Sequence, residues 1–173
     1  MQNNLFLIGP MGVGKTTIGK LLAKSLNQPF YDSDKEIEIL TGASISLIFE
    51  LEQEKGFRIR EQSMIDHLTK KSKIVLATGG GAVLSEINRK HLSSRGFVIY
   101  LKSGLENLYL RTSRDKSRPL LQKKNPKQAL AKILAERDPL YKEVANKVIE
   151  TDKAPLKTIV SDIGKIFIEN VKK

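Results

Sequence analysis

The sequence predicts an α/β fold with three layers, a parallel sheet covered by helices on both faces. Three observations predict it. Short apolar runs alternate with stretches of helical periodicity along the 173 residues. A strand buried on both faces reads as a continuous apolar run, and parallel strands need crossover helices between them. The first such run, NNLFLI, stops at GPMGVGKT, where three glycines and a lysine open a helical stretch. Finally, the length suits one domain with a sizeable core, and neither a repeat nor a low-complexity linker divides it.

Taken in order, NNLFLIG is a buried strand ended by glycine. Lys15 to Leu26 places Ile18, Leu21, Leu22 and Leu26 on one helical face. PFYDSD is a second short strand. Helical patterning begins at Asp34 and resumes from about Ile45 to Leu68, with breaks expected near Gly42 and Gly56. KIVLATGGG is a third strand stopped by three glycines, and GFVIYLK a fourth. Leu105 to Thr112 is helical. Residues 113–126 are polar and basic with two prolines, which reads as a loop. Lys127 to Arg137 is helical, and Asp138-Pro139 is expected to end or kink that helix. NKVIET is the fifth strand. Pro155 is expected in the first turn of a last helix through Ile159, Ile163 and Phe167.

Composition excludes several classes. With no cysteine there is no disulfide framework or thiolate metal site, and His67 and His91 lie far apart in the chain. No apolar run approaches the roughly 20 residues of a membrane span. The start of the chain lacks the pattern of a signal peptide, so a soluble cytoplasmic protein is expected. The net charge of +11 raises nucleic acid as a partner. However, the 22 lysines are scattered, and neither a recognition motif nor aromatic–basic interleaving accompanies them. The densest basic stretch, Arg111 to Lys127, carries seven Lys or Arg against one Asp.

G-x-x-x-x-G-K-[ST] is matched by Gly9, Gly14, Lys15 and Thr16, between a strand and a helix as the motif requires. Successive backbone N–H groups can curl around phosphate oxygens there, and the helix adds its positive end. Lys15 reaches the β- and γ-phosphates, and the Thr16 hydroxyl suits Mg²⁺. A chance match would arise in roughly one in a hundred chains of this composition, so nucleotide binding is the stronger reading. No N-K-x-D guanine-reading sequence follows, which favours a small-molecule kinase over a GTPase.

The acceptor side is less decisive from residues alone. Asp32 and Asp34 close the second strand, and residues two apart in an extended segment point the same way. Both could face a crevice, one serving Mg²⁺ and one a substrate hydroxyl. Equally, Asp34 could cap a helix, or Ser33 and Glu36 could form a capping box. Gly79 to Gly81 allow a ligand close to backbone, or form a tight turn before the next helix. Arg58 could clamp a carboxylate or make an exposed ion pair with Glu54 or Glu61. Arg137 is expected at a helix end, where the macrodipole alone would favour a cation. Arg118, in the basic loop 113–126, could close over bound phosphates as a lid.

GPMGVGKTTIGK, FYDSDKEIE, TGASI, FELEQEKGFRIRE, IVLATGGGAV, RTSRDKSRPLL and ERDPLY occur together, in one order, along nearly the whole chain. In this set the sequence resembles the shikimate kinases. The resemblance implies transfer of the γ-phosphoryl of MgATP to the 3-hydroxyl of shikimate, on the route to chorismate and the aromatic amino acids. It implies a P-loop fold with a five-stranded parallel sheet in the order 2-3-1-4-5, one domain, a substrate-binding region at about 32–61 and a monomer. ATP would be held by Gly12, Val13, Gly14, Lys15, Thr16 and Thr17, and Mg²⁺ by Thr16 with Asp32 acting through water. Asp34 would bond the shikimate hydroxyls and serve as base, while Arg58, Arg137 and the Gly80 N–H would hold the rest of shikimate. Arg118 would reach the phosphates and Arg111 would stack on adenine. The segment TDKAP would line the adenine pocket, with Lys153 and Pro155 as its expected contacts.

Overall fold

A computed structural model of the protein describes residues 3–113 and 125–171. Its five strands are β1 (Leu5–Ile8), β2 (Phe30–Asp32), β3 (Val75–Ala77), β4 (Phe97–Lys102) and β5 (Lys147–Glu150). They form one sheet in the order β2-β3-β1-β4-β5, parallel at every pairing. This is the expected order, and it puts β1 at the centre with the P-loop leaving its C-terminal end.

The alternation of side chains along a strand creates the layers. Phe6 and Ile8 of β1, with Leu76, Val98 and Tyr100, face one side of the sheet. There they pack on helices α3 (Ile45–Thr69), α4 (Glu86–Arg95) and the latter part of α6 (Pro126–Val144). Leu5 and Leu7, with Val75, Ile99 and Leu101, face the other side. There they meet α1 (Lys15–Leu26), α5 (Leu105–Thr112) and α7 (Leu156–Val171). All four residues of β1 are fully buried, and each apolar side chain removed from water contributes about 1.5–3 kcal/mol.

Several helix boundaries differ from those expected. Helix α2 (Ser33–Thr41) starts as soon as β2 ends, one residue earlier than its pattern indicates. Gly42 ends it as foreseen, at φ 68°. The break in α3 falls at Gln53, with φ 58° and ψ −178°, not at Gly56. Gly56 still matters, because a side chain there would come within 2.4 Å of the Glu52 Cβ. Helix α6 does not end at Asp138-Pro139 but continues to Val144. The ring of Pro139 costs one backbone hydrogen bond, but buried Arg137 on one side and buried Tyr141 and Val144 on the other hold the helix to the core. Pro155 precedes α7 instead of lying in its first turn, and its carbonyl accepts from the Ile159 N–H at 3.1 Å. A 3₁₀ turn, Ala82–Leu84, and α4 follow the triple glycine.

Asn4 fastens the other end of the sheet. Its amide nitrogen donates to the carbonyls of Lys71 and Arg95, and its amide oxygen accepts from the Ile74 N–H at 3.2 Å. One buried side chain thus joins the segments entering β3 and β4 to β1. Replacing Asn4 with Ala leaves a buried N–H without a partner, an omission that costs about 1–3 kcal/mol. Urea unfolding of Asn4→Ala is expected to show a loss of that size with an unchanged slope. The KM for each substrate should stay at the wild-type value, because Asn4 lies at the end of the sheet away from the P-loop.

Candidate active site

The segment from Gly9 to Thr16 turns from β1 into α1. Gly9 has φ 140°, and a Cβ there would sit 2.3 Å from the Leu101 carbonyl oxygen. Only glycine lets the chain pass this close to β4. Lys15, the first residue of α1, folds its ammonium back over the loop, donating to the carbonyls of Gly9 and Pro10 at 2.7 and 2.8 Å. The Thr16 hydroxyl donates to Asp32 Oδ2 at 2.6 Å, joining the P-loop to the end of β2. A hydroxyl and a carboxylate oxygen side by side are the hard donors Mg²⁺ takes. Among the described residues no cluster of three or more acidic or histidine ligands forms.

Asp32, and neither Asp34 nor a Ser33–Glu36 box, caps α2: its Oδ1 accepts from the N–H groups of Asp34 and Lys35. The Ser33 hydroxyl is used elsewhere, accepting from the Gly79 N–H at 2.9 Å. Asp34 therefore sits in the first turn of a helix and not in an extended segment. It still faces the same cleft as Asp32, for a different reason from the strand alternation expected.

That cleft, of about 380 Å³, is lined by Thr16, Asp32, Asp34, Arg58, Glu61 and Arg137, with Phe49, Phe57 and the backbone of Gly79, Gly80 and Gly81. Arg58 pairs with Glu61 at 2.7 Å and with Glu54 at 2.8 Å. Its side chain is only 22% exposed and Glu61 is 1% exposed, so the pair with Glu61 is not the solvated surface pair that helical spacing suggests, whereas the pair with half-exposed Glu54 is. Gly81 makes the room, since a Cβ there would overlap the guanidinium at 2.3–2.5 Å. Arg137 is 5% exposed and lies inside α6, not at its end. The macrodipole does not explain it.

Asp34 Oδ1 and Glu61 Oε1 converge on one point. Each would lie 2.7 Å from a Cβ at Gly79, and neither oxygen has a hydrogen-bond partner among the described residues. Burial, then the nearby charges of Glu61 and Asp32, push the Asp34 carboxyl from its ordinary 3.8 up to about 7, against the pull of Lys15 and Arg58. Burial also raises Glu61 despite its pairing with Arg58.

A second hollow lies on the other side of the P-loop. Gly12, Val13, Gly14 and Thr17 line it with Arg111, Thr151, Ala154 and Leu156. The Arg111 guanidinium donates to the Gly12 carbonyl at 3.4 Å and stands 4.0 Å from Asp152. The TDKAP segment does contribute, but through Thr151 and Ala154. Lys153 points away into an ion pair with Glu150, and Pro155 does not line the hollow. Arg118 and most of the segment 113–126 lie outside the described residues.

Asp34, Arg58, Gly80 and Arg137, expected on the acceptor side, line one cleft, together with neighbours that were not expected there. Glu61 closes the FELEQEKGFRIRE stretch but was given a role only as an ion-pair partner three residues from Arg58. Phe49, Phe57 and Tyr141 fall within the quoted stretches FELEQEKGFRIRE and ERDPLY but were given no role there. A helix drawn through Pro139 would have shown Tyr141 four residues from Arg137, on the same face.

Residues 11–167 match the family model for shikimate kinase. The chain belongs to the shikimate kinase family. It is 56% identical over 162 residues to a shikimate kinase of Pseudomonas fluorescens, covering 94% of each chain. A structure of the Acinetobacter baumannii shikimate kinase in complex with shikimate superposes with a TM-score of 0.94, at 49% identity over 98% of this chain and 95% of that one. A gluconokinase of Sinorhizobium meliloti, at 16% identity, a TM-score of 0.60 and coverage of 98% and 95%, shares the fold alone.

The raised pKa of Asp34 makes a stability prediction. Below about pH 4 the carboxyl is protonated in both folded and unfolded chains. Between about 4 and 7 the native state holds a proton that the unfolded chain releases, so stability falls as pH rises. Above about 7 the penalty is constant. Asp34→Asn removes it. The stability of the variant relative to wild type, from urea unfolding at several pH values, is expected to climb from pH 4 to pH 7 by at most about 1.4 kcal/mol per unit and then level off. A gain independent of pH would show that Asp34 is ionised throughout.

Proposed function

We propose that this shikimate kinase family member transfers the γ-phosphoryl group of ATP to the 3-hydroxyl of shikimate, giving 3-phosphoshikimate and ADP. One observation carries the reading. A P-loop opens into a cleft that a desolvated aspartate, Asp34, shares with half-buried Arg58 and buried Arg137. A small anion with several hydroxyls matches that set: guanidinium groups grip a carboxylate, and an aspartate accepts from neighbouring hydroxyls. The likeness to the Acinetobacter baumannii enzyme with shikimate bound supports the same acceptor.

The phosphates lie along the backbone of Gly12 to Thr17, at the N-terminal end of α1. Lys15 leaves the Gly9 and Pro10 carbonyls for the β- and γ-phosphate oxygens. Mg²⁺, when bound by Thr16 and through water by Asp32, neutralises phosphate charge. The adenine lies in the hollow beside Arg111. Arg118 is assigned to the phosphates on its R-P-L-L motif. Arg58, Arg137 and the Gly80 N–H orient shikimate so that its 3-hydroxyl faces the γ-phosphorus. Asp34, with a pKa raised towards neutrality, takes the hydroxyl proton as the new P–O bond forms. Phosphoryl transfer through a loose transition state asks mainly for alignment and charge stabilisation, which Lys15 and the arginines supply. Action as a monomer is part of this proposal. Among the described residues no helix is long and apolar enough to cross a membrane, and use of MgATP supports a cytoplasmic setting.

A coupled ADP-release assay offering shikimate, gluconate and nucleoside monophosphates in parallel is expected to give turnover with shikimate alone. Preference for either alternative would overturn the assignment. Lys15→Ala should lower kcat by roughly 10²–10³-fold or more. Arg58→Ala and Arg137→Ala should each raise the KM for shikimate by about 10- to 100-fold, the size of a lost charge-assisted pair, with the KM for ATP held.

A further inference from the structure

We propose that Tyr141 is a positioning residue for acceptor recognition: its hydroxyl links the Arg137 guanidinium to the Gly80 carbonyl and sets both in place before substrate arrives. The inference rests on the assignment of Arg137 to the carboxylate of shikimate.

Tyr141 is 1% exposed and lies one helical turn after Arg137 on α6. Its hydroxyl donates to the Gly80 carbonyl oxygen at 2.5 Å. A phenol has one proton. With that proton committed to Gly80, the oxygen can only accept from other groups; the charged Arg137 guanidinium lies beside it, with its Nη1 3.8 Å from where a Cβ at Gly80 would stand, and its charge favours the ionised phenol against burial. A guanidinium N–H turned to this oxygen completes the order Arg137 to Tyr141 to Gly80, because the phenol has no second proton to give back.

The linkage constrains two groups that otherwise have freedom. Gly80 is the middle of three consecutive glycines, the residues least restrained by their own backbone. Holding its carbonyl fixes the planar peptide unit it shares with Gly81, so the Gly81 N–H points the opposite way. Arg137 is held at one edge, which leaves its other N–H groups for the cleft that it lines.

Tyr141 itself cannot swing aside. Its ring packs on Tyr100 with centroids 4.9 Å apart. The Tyr100 hydroxyl donates to Asp138 Oδ1 at 2.8 Å, and Asp138 is held in turn by Lys142 at 2.5 Å. Asp138, Tyr141 and Lys142 share α6, so the support for the hydroxyl comes from the same helix that carries Arg137.

The test compares shikimate with its neutral carboxamide, for wild type and Tyr141→Phe. Wild type is expected to favour the carboxylate strongly in kcat/KM. Tyr141→Phe should lose about tenfold of that preference, chiefly through KM for shikimate, with the KM for ATP unchanged. The ratio of two acceptors does not depend on the amount of active enzyme, so partial unfolding of the variant cannot imitate the result. Adding Tyr141→Phe to Arg137→Ala should reduce the preference little further. If Tyr141→Phe keeps the full preference while losing activity equally on both acceptors, Tyr141 is merely structural and the inference fails. If wild type itself shows no preference, the carboxylate clamp is wrong, and the role of Tyr141 falls with it.

Discussion

At the C-terminal end of the sheet Glu61 and Arg137 are buried and Asp34 and Arg58 half-buried, and much of the local architecture answers to that crowding of charge. A buried charge must be paired or it loses far more than a surface contact would return. Arg58 compensates one oxygen of Glu61, while Asp34 Oδ1 and Glu61 Oε1 have no hydrogen-bond partner among the described residues. The result is a strained set of charges that a ligand with hydroxyls to donate and a carboxylate to offer would relieve. Gly79 and Gly81 follow from it, since side chains at either position would collide with these groups.

The sheet supplies the rigidity such a cluster demands. β1 is buried on both faces, and α1 and α2 start directly from loops at its end and at the end of β2. The bond from Thr16 to Asp32 ties those two starts together. The acceptor side is more irregular. Helix α3 breaks at Gln53, a non-glycine residue at positive φ, and Arg60 reaches back across the break to Glu52. The break lies between Phe49 and Phe57, whose rings meet at 4.7 Å in the cleft wall. Strain in this region is of the kind found where a ligand pocket is shaped.

How much was legible varied with the kind of signal. The P-loop was fully legible, because its spacing, glycines and strand–helix context are all local. Helices α1 and α5 were legible for the same reason, as apolar faces at helical spacing between clear stops. Helix α6 was misjudged at Pro139: local propensity argues for an end there, but burial of Arg137, Tyr141 and Val144 overrides it. Asp34 was assigned to the cleft with the wrong backbone, since the strand stops at Asp32 and the cap is made by Asp32 itself. The adenine side was the least legible, because Thr151, Ala154 and Leu156 line their hollow without any motif.

The sequence by itself determined the nucleotide end, the alternating layers and, through its set of motifs, the family. These depend on residues close together in the chain, whose spacing translates directly into backbone geometry. Only the tertiary structure decided which long-range partners meet: Ser33 with Gly79, Arg58 beside Gly81, and Arg137 with Tyr141 against Gly80. Those contacts join segments 23 to 61 residues apart or depend on a helix running past a proline, and burial, which sets both their strength and the pKa of Asp34, exists only once the sheet and its helices have packed.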